Sequence, residues 1–173
     1  NPSHTGARIL TARATWNVGQ EASATKLLEE VTQNTATSSS GELVEAFTLL
    51  GEVHLARSRV THAEKAFSEA LKIDPKSARA LVGLGDALYR SGRYSEALAR
   101  FEAATQADDK EVTAKVGVAK TTLGLERVQD ATAAVQKLRT EFPKSVLVAY
   151  WYCRVQEAAG ARKEAETVYR AVL

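Results

Sequence analysis

Apolar side chains recur along this chain at i, i+3, i+4 and i+7, in short runs separated by polar breaks, which is the spacing of an amphipathic helix. Phe47, Leu50, Gly51 and His54 share one face of a first helix, and Ala63, Phe67 and Ala70 share one face of a second. The pair repeats. Leu50-Gly51 and Leu84-Gly85 stand 34 residues apart, and the same step carries Ala63 to Ala97, Phe67 to Phe101 and Ala70 to Ala104. It carries Ala97 on to Ala131 and Ala165, Phe101 to Val135 and Tyr169, and Pro75 to Asp109 and Pro143. Proline cannot supply the next helical N–H, so Asp74-Pro75 and Phe142-Pro143 are predicted to end second helices. Ser77 and Ser145 follow where an N-cap is wanted. The spacing predicts helical hairpins in series, with glycine and alanine removing bulk where helices cross and an aromatic filling the space between hairpins.

These residues resemble the tetratricopeptide repeat family. The strongest copy spans 78–111, with Leu81, Leu84, Gly85, Leu88, Ala97, Phe101 and Ala104 in signature places and a departure at Asp109, where the family has proline. The copy at 44–77 carries His54 where an aromatic is usual. The copy at 112–145 departs at Lys115, Ala119 and Thr122, and that at 146–173 keeps Gly160, Ala165 and Tyr169 with Cys153 in place of a glycine. A first copy at about 5–38 rests on Gly19, Ala24, Leu28 and Val31, and the extra residues 38–43, with Ser38-Ser39-Ser40-Gly41, are expected to form a loop. The resemblance implies an all-α fold, a right-handed α-solenoid of about five antiparallel helix-turn-helix repeats forming one domain over 1–173. Arrays of this kind need about three repeats or more to be stable. The chain starts at Asn1, lacks methionine and ends at Leu173, and is expected to be part of a longer protein. Its last helix is expected to expose Val168, Tyr169, Val172 and Leu173 to a further repeat or a second molecule.

In the family, positions 2, 5, 9, 12 and 13 of each copy line a concave groove. The resemblance implies a groove containing Glu52 from one copy, Arg79, Val82, Asp86, Tyr89 and Arg90 from the next, Val116, Lys120 and Leu123 from the third, and Leu147, Tyr150 and Arg154 from the last. Val82, Val116, Leu123, Tyr89 and Tyr150 would form an apolar floor, and Arg79, Arg90, Lys120 and Arg154 would orient carboxylates or carbonyls of a bound peptide. The competing reading is that these groups satisfy one another, for example Asp86 with Arg90 at i, i+4. Position 5 is never lysine and position 9 never asparagine. The chain therefore lacks the carboxylate clamp with which some members hold chaperone tails.

Composition narrows the function further. The formal net charge is +2, too balanced to argue for nucleic acid or an anionic surface. The basic residues around Lys115 to Lys144 fall on different faces, with no stripe of stacking aromatics. No apolar run is long enough to span a bilayer. His4, His54 and His62 show no metal-ligand spacing; His54 reads as a packing residue and Cys153 as core, with no histidine paired to it. Gly83-Leu84-Gly85 lacks the third glycine and the preceding strand of a dinucleotide loop. The expectation is a non-enzymatic interaction scaffold without cofactor, holding a peptide or helix of a partner in its groove. Its setting would be a bacterial multiprotein assembly of envelope, secretion, pilus or motility type. Two alternatives stand beside it: homo-oligomerisation through the C-terminal hairpin, and a docking domain of an enzyme whose catalytic part lies elsewhere. Cytoplasm and periplasm are equally compatible with the sequence.

Overall fold

A computed structural model describes residues 3–34 and 38–172, with side chains placed for 5–34 and 38–170. Among the described residues there are ten helices and no strand. They are α1 (Ser3–Asn17), α2 (Glu21–Gln33), α3 (Ser40–Ala56), α4 (Val60–Ile73), α5 (Ala78–Arg90), α6 (Tyr94–Ala107), α7 (Val112–Gly124), α8 (Val128–Glu141), α9 (Val146–Ala158) and α10 (Arg162–Val172). Each odd helix packs on the even helix that follows it, and each even helix packs on the next odd one. The result is an α-solenoid of helical hairpins, in which the core runs from hairpin to hairpin without a single centre.

The turn inside each hairpin is the same turn five times. Residues Gly19, Ser58, Gly92, Glu126 and Gly160 all have positive φ, between 56° and 82°. The residue after each donates its N–H to a carbonyl five positions back, as Arg59 does to His54 and Arg93 to Leu88, the bond that closes a Schellman cap. Three of the five are glycine, which adopts this conformation without a Cβ clash; Ser58 and Glu126 adopt it at a cost.

The breaks between hairpins are equally local. Helix α4 ends at Ile73 and α8 at Glu141, before Pro75 and Pro143, and Ser77 and Ser145 cap α5 and α9 by accepting from Ala80 N–H and Val148 N–H. The break at Asp109 forms without proline. There the Asp108 carboxylate accepts the Lys110 N–H at 2.9 Å, as Asp74 accepts that of Lys76 at 3.0 Å. The side chain holds the turn that a ring would otherwise preset.

Two expectations are corrected. The loop expected over 38–43 is largely helix, because α3 begins at Ser40. Ser39 and Glu42 form a capping box: the Ser39 hydroxyl accepts the Glu42 N–H, and the Glu42 carboxylate accepts the Ser39 N–H at 2.8 Å. Those bonds also hold the Glu42 carboxyl below the usual carboxylate range. The exposed apolar edge expected on the last helix loses Val168, which is buried in a cluster with Ala149, Cys153 and Ala165, and half-buried Tyr169 packs against that cluster. The Val172 side chain and Leu173 lie outside the described residues.

Between hairpins one contact recurs. The ring of Phe67 lies between Gly51 of its own hairpin and Gly83 of the next, and a Cβ would fall 2.6 Å and 2.3 Å from it. The Phe101 ring sits in the same way between Gly85 and Gly117, at 2.9 Å and 2.2 Å. The bulk those glycines remove is therefore in the way of a ring. Where the ring shrinks, its neighbours grow: buried Val135 packs in the cluster that holds Ala119 and Trp151, which occupy the places of Gly85 and Gly117.

Candidate protein-binding groove

Helices α1, α3, α5, α7 and α9 each touch the next of that series as well as their hairpin partners. Every residue expected to line a concave groove lies on this row of helices. Among the described residues three charge pairs join neighbouring helices of this row, beside Glu21–Arg57 and Glu64–Arg93, which cross hairpin boundaries elsewhere. Arg13 meets Glu45 at 2.6 Å, and Arg79 clasps Glu52 with two N–H donors, each at 2.6 Å. The Glu52 carboxylate holds the Arg79 guanidinium even more firmly protonated than usual. Asp86 pairs with Lys120, whose ammonium also lies 4.8 Å from the centre of the Tyr89 ring and 5.1 Å from that of Phe101. Between these pairs a cavity of about 330 Å³ is lined by Glu52, Leu55, Arg79, Val82, Asp86 and Thr113.

The structure revises two readings, the place of Val116 and the pairing of Asp86. Val116 is only 2% exposed and packs with Val148 and Val155, so it belongs to the core between hairpins and not to a groove floor. Leu123 is half-buried in the same cluster. Asp86 does not pair with Arg90; the Arg90 guanidinium donates to the Leu55 carbonyl at 2.7 Å across the hairpin boundary.

At the other end of the row the surface changes character. Tyr150 is 46% exposed and Leu147 also faces solvent. Trp151 stands edge-on to Tyr150 at 5.5 Å and to Tyr89 at 6.5 Å, and Tyr89 tilts against Tyr94 at 5.3 Å. Burial raises the Tyr89 phenol above its ordinary pKa, so it stays a neutral donor at physiological pH. Arg154 is exposed beside them. Trp151 was missing from the expected set because its place in the repeat elsewhere holds Gly83 or Gly117; a tryptophan next to a groove tyrosine was the available signal.

Groups suited to catalysis are differently placed. The Cys153 thiol is fully buried, lies 3.4 Å from the Ala165 carbonyl and has its pKa raised by burial, the reverse of an activated nucleophile. His54 is buried in α3 with its ring 5.4 Å from that of His62. Among the described residues no three His, Cys, Asp or Glu side chains are grouped to hold a metal ion, and no helix is long and apolar enough to cross a membrane.

Hairpins of two helices with a 34-residue period, stacked through ring-in-glycine contacts, define the helical-repeat solenoid class. Residues 40–112 match the tetratricopeptide repeat family. Those residues belong to that family, and the chain as a whole has its fold. No curated protein matches the chain by sequence. Among solved structures it is similar to MamA from Desulfovibrio magneticus RS-1, with 18% identity, 97% of this chain and 92% of that one covered, and a TM-score of 0.77. It is similar to nearly identical TPR-like repeats from Podosopora anserina, with 19% identity, coverage of 99% and 93%, and a TM-score of 0.81. A thermophilic TPR protein of Thermus thermophilus aligns at 16% identity, with coverage of 98% and 90% and a TM-score of 0.80.

Proposed function

We propose that this chain is a protein-interaction scaffold that holds a peptide or helix of a partner on the C-terminal half of its concave face. The observation that carries this reading is the ring cluster of half-buried Tyr89 and Trp151 with Tyr150, which is 46% exposed. Half-exposed aromatic side chains next to an arginine are the residue types that dominate binding energy at protein interfaces. The N-terminal half supports a structural role, because its inner-face charges already satisfy one another. The reading extends to a bacterial multiprotein assembly, on the alanine- and arginine-rich style of the repeats.

Peptide-display panning on the chain, counter-selected against a Tyr89→Glu, Tyr150→Glu double variant, tests the reading. A shared motif retained by the parent and lost by the variant is the expected result. Enrichment indifferent to those tyrosines would overturn it.

A further inference from the structure

His54 breaks a pattern that its counterparts keep. The same place in the other four repeats holds Thr15, Leu88, Thr122 and Gln156. Leu88 is apolar and buried, the Thr15 and Thr122 hydroxyls donate to carbonyls of their own helices, and the Gln156 amide donates to the Tyr152 hydroxyl at 3.1 Å. His54 is 6% exposed, and its Nδ1 is buried without a hydrogen-bond partner. A buried polar group left without a partner costs stability and calls for a reason.

His62, on the next helix, breaks a second pattern. Its place holds Glu96 and Asp130 in the two repeats that follow, each in an ion pair with the arginine three residues before it, Arg93 and Arg127. The corresponding arginine here is Arg59, and a histidine at 62 forgoes that pair. The two exceptions meet. The rings of His54 on α3 and His62 on α4 have centroids 5.4 Å apart and planes inclined by 52°. An ion bound at about 2.1 Å by one nitrogen of each ring, at a tetrahedral angle, would set the centroids about 5 Å apart. Both rings line a cavity of about 230 Å³ bounded by α2, α3 and α4, with room for an ion and several waters. Glu29 and Glu69 bring carboxylates to its wall, the second paired with Lys72, against the ammonium of Lys65. Arg57, at the end of α3, is held by Glu21 at 2.6 Å. Eight residues apart, the two histidines have no helical ligand spacing; the turn at Ser58 is what brings them together.

We propose that His54 and His62 form a two-histidine site for an exchangeable divalent ion of the zinc, nickel and copper class, with water in the remaining positions. Imidazole nitrogen suits these ions, whereas magnesium and calcium take oxygen ligands. Two protein ligands fall short of the closed four-ligand shell of a structural zinc site, so the ion comes and goes with its concentration. When bound, it clips α3 to α4 and gives the buried ring the partner that its counterparts find within the protein. None of the residues named for the groove takes part, so the site stands or falls independently of peptide binding.

The test is calorimetric titration of the metal-free, tag-free chain with zinc chloride at pH 7.5, with thermal unfolding as the second readout. One zinc ion per chain is expected, and a tenfold excess over Kd should raise Tm by about 2–4 °C. Copper is expected to bind more tightly than zinc, and magnesium to leave Tm unchanged. His62 is exposed, so His62→Gln should keep the metal-free Tm and lose both the zinc heat and the shift. His54→Leu, which copies Leu88, should lose them as well, and His4→Gln should keep them. No heat and no shift with zinc or copper, zinc binding retained by His62→Gln or by His54→Leu, or an equal response to magnesium would each overturn the proposal. Loss with His4→Gln would overturn it by placing the ion at the first helix.

Discussion

Substituting Gly83 by alanine sets two effects of known sign against each other. Alanine is favoured over glycine within a helix by about 1 kcal/mol. The new methyl, however, would sit 2.3 Å from Cε1 and Cζ of Phe67, more than 1 Å inside ordinary contact. The ring cannot retreat, because on its other side a Cβ at Gly51 would also be only 2.6 Å away. Overpacking of this kind costs about 1–3 kcal/mol, and a ring held on both sides belongs at the upper end. The net expectation is a loss of about 1–2 kcal/mol, or a fall in Tm of roughly 2–8 °C for a chain of this length. Thermal and urea unfolding followed by far-UV circular dichroism measure it. The second arm is a double-mutant cycle with Phe67→Val, which copies the small residue found at Val135 beside Trp151. A valine leaves room for the methyl, so the double variant should be more stable than the sum of the singles by about 1 kcal/mol or more. A raised Tm for Gly83→Ala, or strict additivity in the cycle, would refute the ring-in-glycine account.

The turn and the buried histidine give two further predictions. Glu126 has a φ of 60° at the place where Gly19, Gly92 and Gly160 stand, so Glu126→Gly should stabilise by about 0.5–1 kcal/mol, relief of left-handed strain outweighing the entropy that glycine adds to the unfolded chain; an unchanged or lower urea midpoint would contradict it. Burial pushes the His54 imidazole below its ordinary pKa, with His62, Arg59 and Arg57 acting in the same direction and Glu29 against it. A lowered native pKa means that the unfolded chain takes up the proton first as the pH falls. Stability is therefore full above about pH 6.5 and declines as the pH drops from there toward the native pKa. The His54→Leu variant should show a flatter urea midpoint between pH 7 and pH 5, and a slope identical to the parent would remove His54 as the cause.

Much of this architecture is written in short-range signals. The 34-residue register, the prolines at 75 and 143, and the caps at Ser77 and Ser145 each act within a turn or two of the chain, so they are readable without knowing what packs where. The Ser39–Glu42 capping box was equally local, but a run of three serines and a glycine reads as a loop when composition is weighed ahead of the spacing between cap and acid. Other features depend on the next hairpin. Val82 and Val116 occupy the same place in the repeat, yet Val116 is sealed by Val148 and Val155 while Val82 still lines a cavity. Asp86 has an arginine four residues on along its own helix and still pairs with Lys120, 34 residues away, because Arg90 is drawn to the Leu55 carbonyl. Sequence by itself determined the repeat and its proline-marked breaks, since a periodic chain repeats its local geometry. Only the tertiary structure decided which inner residues are core, which charges are already satisfied, and which side chains at the last hairpin stay open. Those properties belong to pairs of hairpins, and stacking places side chains 34 residues apart within reach of one another.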